Sequence, residues 1–242
     1  MPSTIPHLLQ RLRGGQHASS PRLTWYGPDG ERIELSGRVL ENWVAKTSNF
    51  LTEELDAEIG TRVRIALPAH WKSAVIALAA WQVGAVVVDD PGIPVDVTFV
   101  GPDFAADDAA PSGGALVAVA LGALEMGYPG QLPAGAYDYA AAVRQFADSY
   151  EPFDAPAEDD AAYESGSESF SQAELSSGFA APAAAGARVL VAAREGLRAS
   201  LSRLLGAWAA DGSAVLVHAQ TEEAEDGRAL ERIRQTEKVT GA

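Results

Sequence analysis

A strand–helix–strand pattern at residues 61–90 is the feature that most limits the folds open to this chain. The segment reads TRVRIALPAHWKSAVIALAAWQVGAVVVDD. A β-rich apolar run from Val63 to Leu67 precedes an alanine-rich apolar helix from about His70 to Val83, and a second apolar run at 85–88 follows Gly84. Two apolar strands joined by a helix are typical of a βαβ crossover in a buried parallel sheet. The pattern therefore predicts an α/β fold.

Two further segments extend this prediction. Residues 186–217 repeat the pattern, because ARVLVAA and SAVLVHA flank an amphipathic helix. Near the N-terminus, RLTWYGPDGERIEL at 22–35 alternates apolar and polar residues around a Gly-Pro-Asp-Gly turn, which predicts a β-hairpin. Ser36 then stands at the N-cap position of a helix. The sequence predicts a mostly parallel sheet flanked by helices, with an N-terminal β-hairpin.

Three segments are less regular. The polar residues 102–114 predict a loop, and YDYAAAVRQFADSY at 137–150 predicts a helix. Residues 151–172 are acidic and rich in small side chains, which favours an exposed loop. A chain of 242 residues falls between one large domain and two small ones, and the interpretation is a single domain over 1–242.

Charge and cysteine content exclude several classes of partner. The formal net charge is −15 and the sequence pI is about 4.6. Nucleic acids and anionic membrane surfaces bind through clusters of Lys and Arg, so neither is an expected partner. The sequence contains no cysteine, which rules out disulfides and thiolate metal sites. No secretory signal and no apolar run of about 20 residues is visible, so a soluble, cytoplasmic protein is expected.

The order of these segments resembles the start of the adenylate-forming, AMP-binding superfamily, which includes acyl-CoA synthetases, adenylation domains and luciferases. The similarity covers residues 22–88, with a hairpin, a long helix and a strand–helix–strand unit in the family's order. Residues 186–217 resemble the segment that follows the family's phosphate loop, and ALERIRQTEKVTG at 229–241 resembles the next helix. The chain is most similar to a family of short AMP-binding-like proteins that keep only the N-terminal portion of this fold.

The resemblance implies where a phosphate loop would lie. The family pattern is close to YTSGTTGxPKG, and the corresponding stretch at 163–170 reads YESGSESF. The residues that fit the pattern, and that we predict as a degenerate cofactor-binding loop, are Tyr163, Ser165, Gly166 and Ser167. The second Gly, the Pro and the Lys have no counterpart, whereas Glu164 and Glu168 add negative charge. A carboxylate about 4 Å from a phosphate costs about 1 kcal/mol in water and about 4 kcal/mol at an effective dielectric near 20. ATP or AMP is therefore not expected as a cofactor.

The resemblance also implies that the family's later motifs, which bind adenine and ribose and supply a catalytic Lys, lie beyond the matched portion. We predict no catalytic residue and no metal site, and we interpret the chain as a non-catalytic homologue that binds a small molecule or a protein. One alternative is a partial carboxylate-activating ligase or nucleotide-binding protein that a partner chain completes. Another is a regulatory or structural protein that associates with itself through a sheet edge.

Four polar residues admit more than one interpretation. His70 opens the helix of the first βαβ unit and His218 follows a strand, so each side chain either caps or flanks a helix or lines a ligand cleft at a strand's carboxyl end. A position that caps or flanks a helix is the favoured interpretation for both. Asp89 and Asp90 directly follow an apolar strand, and a loop cap for a nearby helix or N–H group is favoured there over cation binding or acid–base chemistry.

Overall fold

The computed structural model describes residues 4–14, 18–103, 114–123, 125–132 and 134–241. The chain divides into two compact units. Unit 1 comprises Met1–Glu41, Pro68–Ala74 and Glu174–Ala242, and unit 2 comprises Asn42–Leu67 and Val75–Ala173. Among the described residues, no helix is both long enough and apolar enough to span a membrane. Most of the predicted loop at 102–114 lies outside the described residues.

Unit 1 contains a four-stranded sheet. Its strands are β1 (Pro21–Tyr26), β2 (Arg32–Ser36), β10 (Arg188–Ala192) and β11 (Ser213–Val217), in the order β10-β11-β1-β2. The β1–β2 pair is antiparallel and the other two pairs are parallel. The unit's helices are α1 (Ile5–Arg13), α6 (Leu197–Ala209), α7 (Ala219–Glu223) and α8 (Arg228–Thr236). The predicted hairpin and the second βαβ unit are confirmed.

Unit 2 contains a seven-stranded sheet. Its strands are β3 (Arg62–Ala66), β4 (Val86–Val88), β5 (Val97–Val100), β6 (Ala115–Ala118), β7 (Tyr137–Asp138), β8 (Ala161–Ser165) and β9 (Glu168–Ser171), in the order β7-β6-β5-β3-β4-β8-β9. Only the β8–β9 pair is antiparallel. The α/β prediction with mostly parallel strands is confirmed, but the strands form two sheets where the sequence suggested one.

The remaining helices are α2 (Gly37–Glu54), α3 (Trp71–Val83), α4 (Tyr139–Ala142) and α5 (Gln172–Glu174). The Ser36 hydroxyl accepts the Val39 N–H at 3.3 Å, which confirms the predicted N-cap of α2. Every residue of α3 is buried, as expected of a helix that is apolar on all sides. Gly84, at φ +92°, ends this helix in a backbone conformation that favours glycine.

The helix predicted over 137–150 is largely wrong. Only Tyr139–Ala142 is α-helical, followed by a short 3-10 turn at Val143–Gln145. The Asp138 side chain caps this helix, and downstream carbonyls bond to side chains of α2. Lys46 donates to the Phe146 carbonyl at 2.6 Å, and Asn49 donates to the carbonyls of Ala147 and Ser149. These contacts compete with the helical bonds that the periodicity suggested.

Candidate functional site

The stretch that aligns with a phosphate loop forms a β-hairpin. Strands β8 and β9 pair through Ser165 and Glu168, so Gly166 and Ser167 form a two-residue turn. Gly166 has φ +57°, a conformation that glycine adopts without strain at such turns. Residues 151–160 lie outside helices and strands, but 161–171 are the hairpin where the sequence predicted an exposed loop over 151–172. Most backbone groups of the stretch therefore belong to a strand ladder.

Tyr163 belongs to the core of unit 2. Its side chain is buried, and it pairs with Val87 of β4 in parallel register. Its hydroxyl donates to an Asp89 carboxylate oxygen at 3.0 Å. Ser165 is half-buried, whereas Gly166 and Ser167 are exposed at the turn. The four predicted cofactor-binding residues are therefore neighbours in sequence, but the Tyr163 side chain is buried in the core whereas Gly166 and Ser167 are exposed at the turn. Their assignment as a degenerate cofactor-binding loop stays a prediction.

Carboxylates surround the turn. Glu164 forms an ion pair with Arg62 at 3.3 Å, and a Cβ atom added to Gly166 would lie 4.0 Å from an Asp90 carboxylate oxygen. Asp90 also accepts the Gly92 N–H at 2.8 Å. Asp90 therefore caps an N–H group of its own loop, as the favoured interpretation predicts, whereas Asp89 accepts the Tyr163 hydroxyl. Across the described ranges, no cluster of three or more His, Asp or Glu side chains could hold a metal ion.

A cleft of about 750 Å³ in unit 2 is also acidic. Tyr150 and the fully exposed Phe153 contribute aromatic surface to it. The carboxylates that line it belong to Glu53, Asp56, Glu58, Glu151 and Asp154. With this lining, the cleft disfavours a phosphate-bearing ligand.

In unit 1, two histidines meet the same tryptophan. The ring of Trp25 on β1 contacts His70 edge to face, with ring centroids 4.5 Å apart, and contacts His218 in the same manner at 5.9 Å. Strands β1 and β11 run in parallel, with Tyr26 beside Val217, so His218 and Trp25 both lie at the carboxyl edge of the sheet. Open α/β sheets bind ligands at this edge. We call Trp25, His70 and His218 the histidine cluster.

Both histidines of the cluster cap helices. The Nδ1 atom of His70 accepts the Lys72 N–H at 3.1 Å at the start of α3. The Nδ1 atom of His218 accepts the Gln220 N–H at 3.2 Å at the start of α7. The favoured interpretation of each residue is thus confirmed. Sequence reasoning missed their common contact with Trp25, because the three residues are far apart in the chain and no local signal links them.

His70 is held neutral by its surroundings. Its side chain is 3% exposed. Burial, and to a smaller extent the electrostatic interaction with Lys72 and His218, lowers the pKa of His70 to about 3. Since Nδ1 accepts a hydrogen bond, the single proton of the neutral ring lies on Nε2. Among the described residues, this buried Nε2 atom has no hydrogen-bond partner.

Stability is expected to decrease on the acid side of neutrality because of His70. An unfolded His titrates near pH 6.5 and folded His70 near 3, so the unfolded state binds more protons between these values. The contribution is complete above pH 6.5 and is lost, at about 1.4 kcal/mol per pH unit, as pH falls toward 3. Between pH 7 and pH 5, urea unfolding should show wild type losing about 2 kcal/mol more than His70→Asn, which retains a capping side chain. Equal losses would contradict a neutral, buried His70.

Comparisons with known proteins support the fold. No protein-family model matches the chain. A Mycobacterium tuberculosis protein, whose name gives a family designation and no activity, is 42% identical over 137 residues, or 54% of this chain and 56% of that protein. An acyl-CoA synthetase from Brucella canis superposes with a TM-score of 0.74 at 15% identity, covering 98% of this chain and 47% of the enzyme.

Two more solved structures agree. An anthranilate CoA ligase in complex with anthranoyl-AMP matches with a TM-score of 0.71 at 16% identity, covering 96% of this chain and 48% of the ligase. The acetoacetyl-CoA synthetase of Streptomyces lividans matches with a TM-score of 0.71 at 19% identity, covering 98% and 41%. The chain therefore has the fold of acyl-CoA synthetases and related adenylate-forming enzymes, over about half of their length.

Proposed function

We propose that this protein is a non-catalytic relative of the AMP-forming acyl-CoA synthetases and that it binds a small ligand. One observation carries the proposal: the stretch that aligns with the phosphate loop is a closed β-hairpin with carboxylates around its turn. The ladder of β8 and β9 uses backbone groups of the stretch, and only Gly166 and Ser167 lie between the paired residues.

A phosphate cradle needs several free backbone N–H groups and a compensating cation near the anion. At this hairpin, the guanidinium of Arg62 is already paired with Glu164. Glu164 and Asp90 add negative charge close to the turn. Stabilising the transition state of adenylate formation depends on preorganised positive charge at the phosphate. Because the turn carries negative charge, it supports a function in binding without adenylate formation.

The ligand-binding part of the proposal is supported by the carboxyl edge of the sheet in unit 1. The parallel strands β10, β11 and β1 end there, and a side chain with a polar group lies close to each end. Arg194 follows β10, His218 follows β11, and Trp25 lies near the end of β1. The Arg194 side chain is 61% exposed, and its Nε atom lies 3.2 Å from the buried carboxylate of Glu222. A guanidinium, an imidazole and an indole at one edge suit a small polar ligand.

The test of the non-catalytic part combines activity with nucleotide binding. ATP–pyrophosphate exchange with a panel of acetate, fatty and aromatic acids should stay at background in the presence of Mg²⁺. ATP and AMP should leave the melting temperature unchanged, since a ligand that binds only the folded state raises it by mass action.

The turn hydroxyls provide the control for this test. Replacing both Ser165 and Ser167 with alanine removes the donors that a nucleotide would use at the turn. Stabilisation of the wild type by ATP that disappears in this variant would overturn the proposal, and would favour a nucleotide-binding protein completed by a partner chain. In the same screen, stabilisation by a carboxylate or by CoA without nucleotide is the expected result.

A further inference from the structure

We propose that the histidine cluster of unit 1 binds an oxyanion, a carboxylate or inorganic phosphate, through the Nε2–H groups of His70 and His218. This inference rests on the proposed function as a ligand-binding protein and assigns a place and a chemistry to the ligand. The cluster lies at the carboxyl edge of the unit 1 sheet, and its residues belong to a unit that does not contain the β8–β9 hairpin.

Both histidines of the cluster carry a ring proton on Nε2. Both imidazoles accept a backbone N–H, two residues further along the chain, at Nδ1. A neutral ring that accepts at Nδ1 must donate at Nε2. Each histidine therefore uses one nitrogen to cap its helix and keeps an N–H donor on the other side of the ring. The same tautomer excludes Nε2 as a ligand of a metal ion, since coordination needs an unprotonated nitrogen.

The Nε2–H group of His70 is buried and has no hydrogen-bond partner among the described residues. Such a donor loses its bonds to water without replacing them, which has a cost in folding free energy. The Trp25 ring beside it can offer only a weak N–H to π contact, which is a second-order interaction. A ligand oxygen that accepted this hydrogen bond would remove the cost. The Nε2–H group of His70 is therefore suited to donate to a ligand.

Lys72 adds positive charge to the cluster, since its ammonium interacts electrostatically with the His70 ring. The indole N–H of Trp25 is engaged by Glu31 at 2.7 Å, so Trp25 contributes its ring and not its donor. Two N–H donors beside an aromatic ring match a small oxyanion, with or without an apolar group attached.

The experiment compares benzoate and inorganic phosphate as probes of the full chain. Isothermal titration calorimetry at pH 7.5 should detect binding of at least one probe: benzoate alone indicates a carboxylate with an apolar body, and phosphate alone indicates an inorganic oxyanion. His70→Asn and His218→Asn each keep a capping side chain but lose the distal N–H, and each should weaken binding by about tenfold or more. His7→Asn, on α1, is the matched control and should leave the affinity unchanged.

Nitrogen-15 NMR of the imidazoles provides a readout in the wild type that does not depend on the stability of the variants. Binding should shift the Nε2–H signals of His70 and His218 and leave that of His7 in place. The inference is overturned if neither probe binds, or if either binds with the same affinity to both cluster variants. A different ligand that binds regardless of these variants would leave the proposed function intact, whereas ATP–pyrophosphate exchange would refute that function without bearing on the cluster.

Discussion

Replacing Glu237 with alanine is expected to lower the free energy of unfolding by about 3 kcal/mol. This carboxylate, just after α8, is 7% exposed and accepts hydrogen bonds from side chains of three strands. Tyr26 donates to it at 2.6 Å, Arg32 donates at 2.9 Å, and Arg188 donates to its other oxygen. Removing one partner of a buried ion pair costs about 3–5 kcal/mol because the remaining charge is uncompensated. The partial exposure of Arg32 places the expected value at the lower end.

Glu34→Ala is the matched control for this prediction. Glu34 also accepts from Arg32, at 2.7 Å, but both side chains in that pair are 42% exposed. Exposed ion pairs contribute at most about 1 kcal/mol, so this variant should unfold within that margin of wild type. Urea unfolding followed by circular dichroism at pH 7 measures both variants. Similar losses of unfolding free energy for Glu237→Ala and Glu34→Ala would show that Glu237 contributes no more to stability than an exposed carboxylate.

Replacing Trp81 with alanine is expected to destabilise unit 2 by about 3–5 kcal/mol, the usual range for removing a buried tryptophan. Trp81 lies on α3 and is completely buried. Its indole N–H donates to the Ala162 carbonyl of β8 at 2.7 Å. The loss therefore combines a cavity with a buried carbonyl that no longer receives this hydrogen bond.

Two further variants separate these contributions. Trp81→Phe keeps most of the ring volume and loses the hydrogen bond, so it should cost about 1–3 kcal/mol. Met126→Ala changes a side chain that is 69% exposed and should stay within about 0.5 kcal/mol of wild type. Thermal unfolding by calorimetry gives all three values. A Trp81→Ala variant as stable as Met126→Ala would contradict the packing described for α3.

The secondary structure of the two βαβ units could be predicted because their signal is local. In β3 the buried residues Val63 and Ile65 alternate with more exposed neighbours, and α6 carries a periodic apolar stripe. The helix predicted over 137–150 failed because side chains from α2 capture its downstream carbonyls. The apolar periodicity of residues 137–150 carries no information about these contacts with α2.

The candidate sites, too, could be predicted from the sequence only in part. The residues at 163–167 could be identified from their likeness to a phosphate-loop pattern, but their hairpin depends on pairing between β8 and β9 and on the burial of Tyr163. His70 and His218 could each be recognised as helix caps from their positions beside strands and helices. Their shared contact with Trp25 could not be recognised, because it depends on the pairing of β1 with β11 and on the packing of the start of α3 against Trp25.

Local signals in the sequence sufficed to predict the type and approximate limits of most helices and strands, the hairpin at the N-terminus and the likeness to adenylate-forming enzymes. These depend on apolar periodicity, turn residues and motifs, which act over a few neighbouring positions. The division of the strands into two sheets, the pairing of β1 with β11 and the contact of two capping histidines with one indole arise only in the folded chain. Strand pairing across long sequence separations depends on the packing of the folded core, so the histidine cluster exists only once the chain has folded.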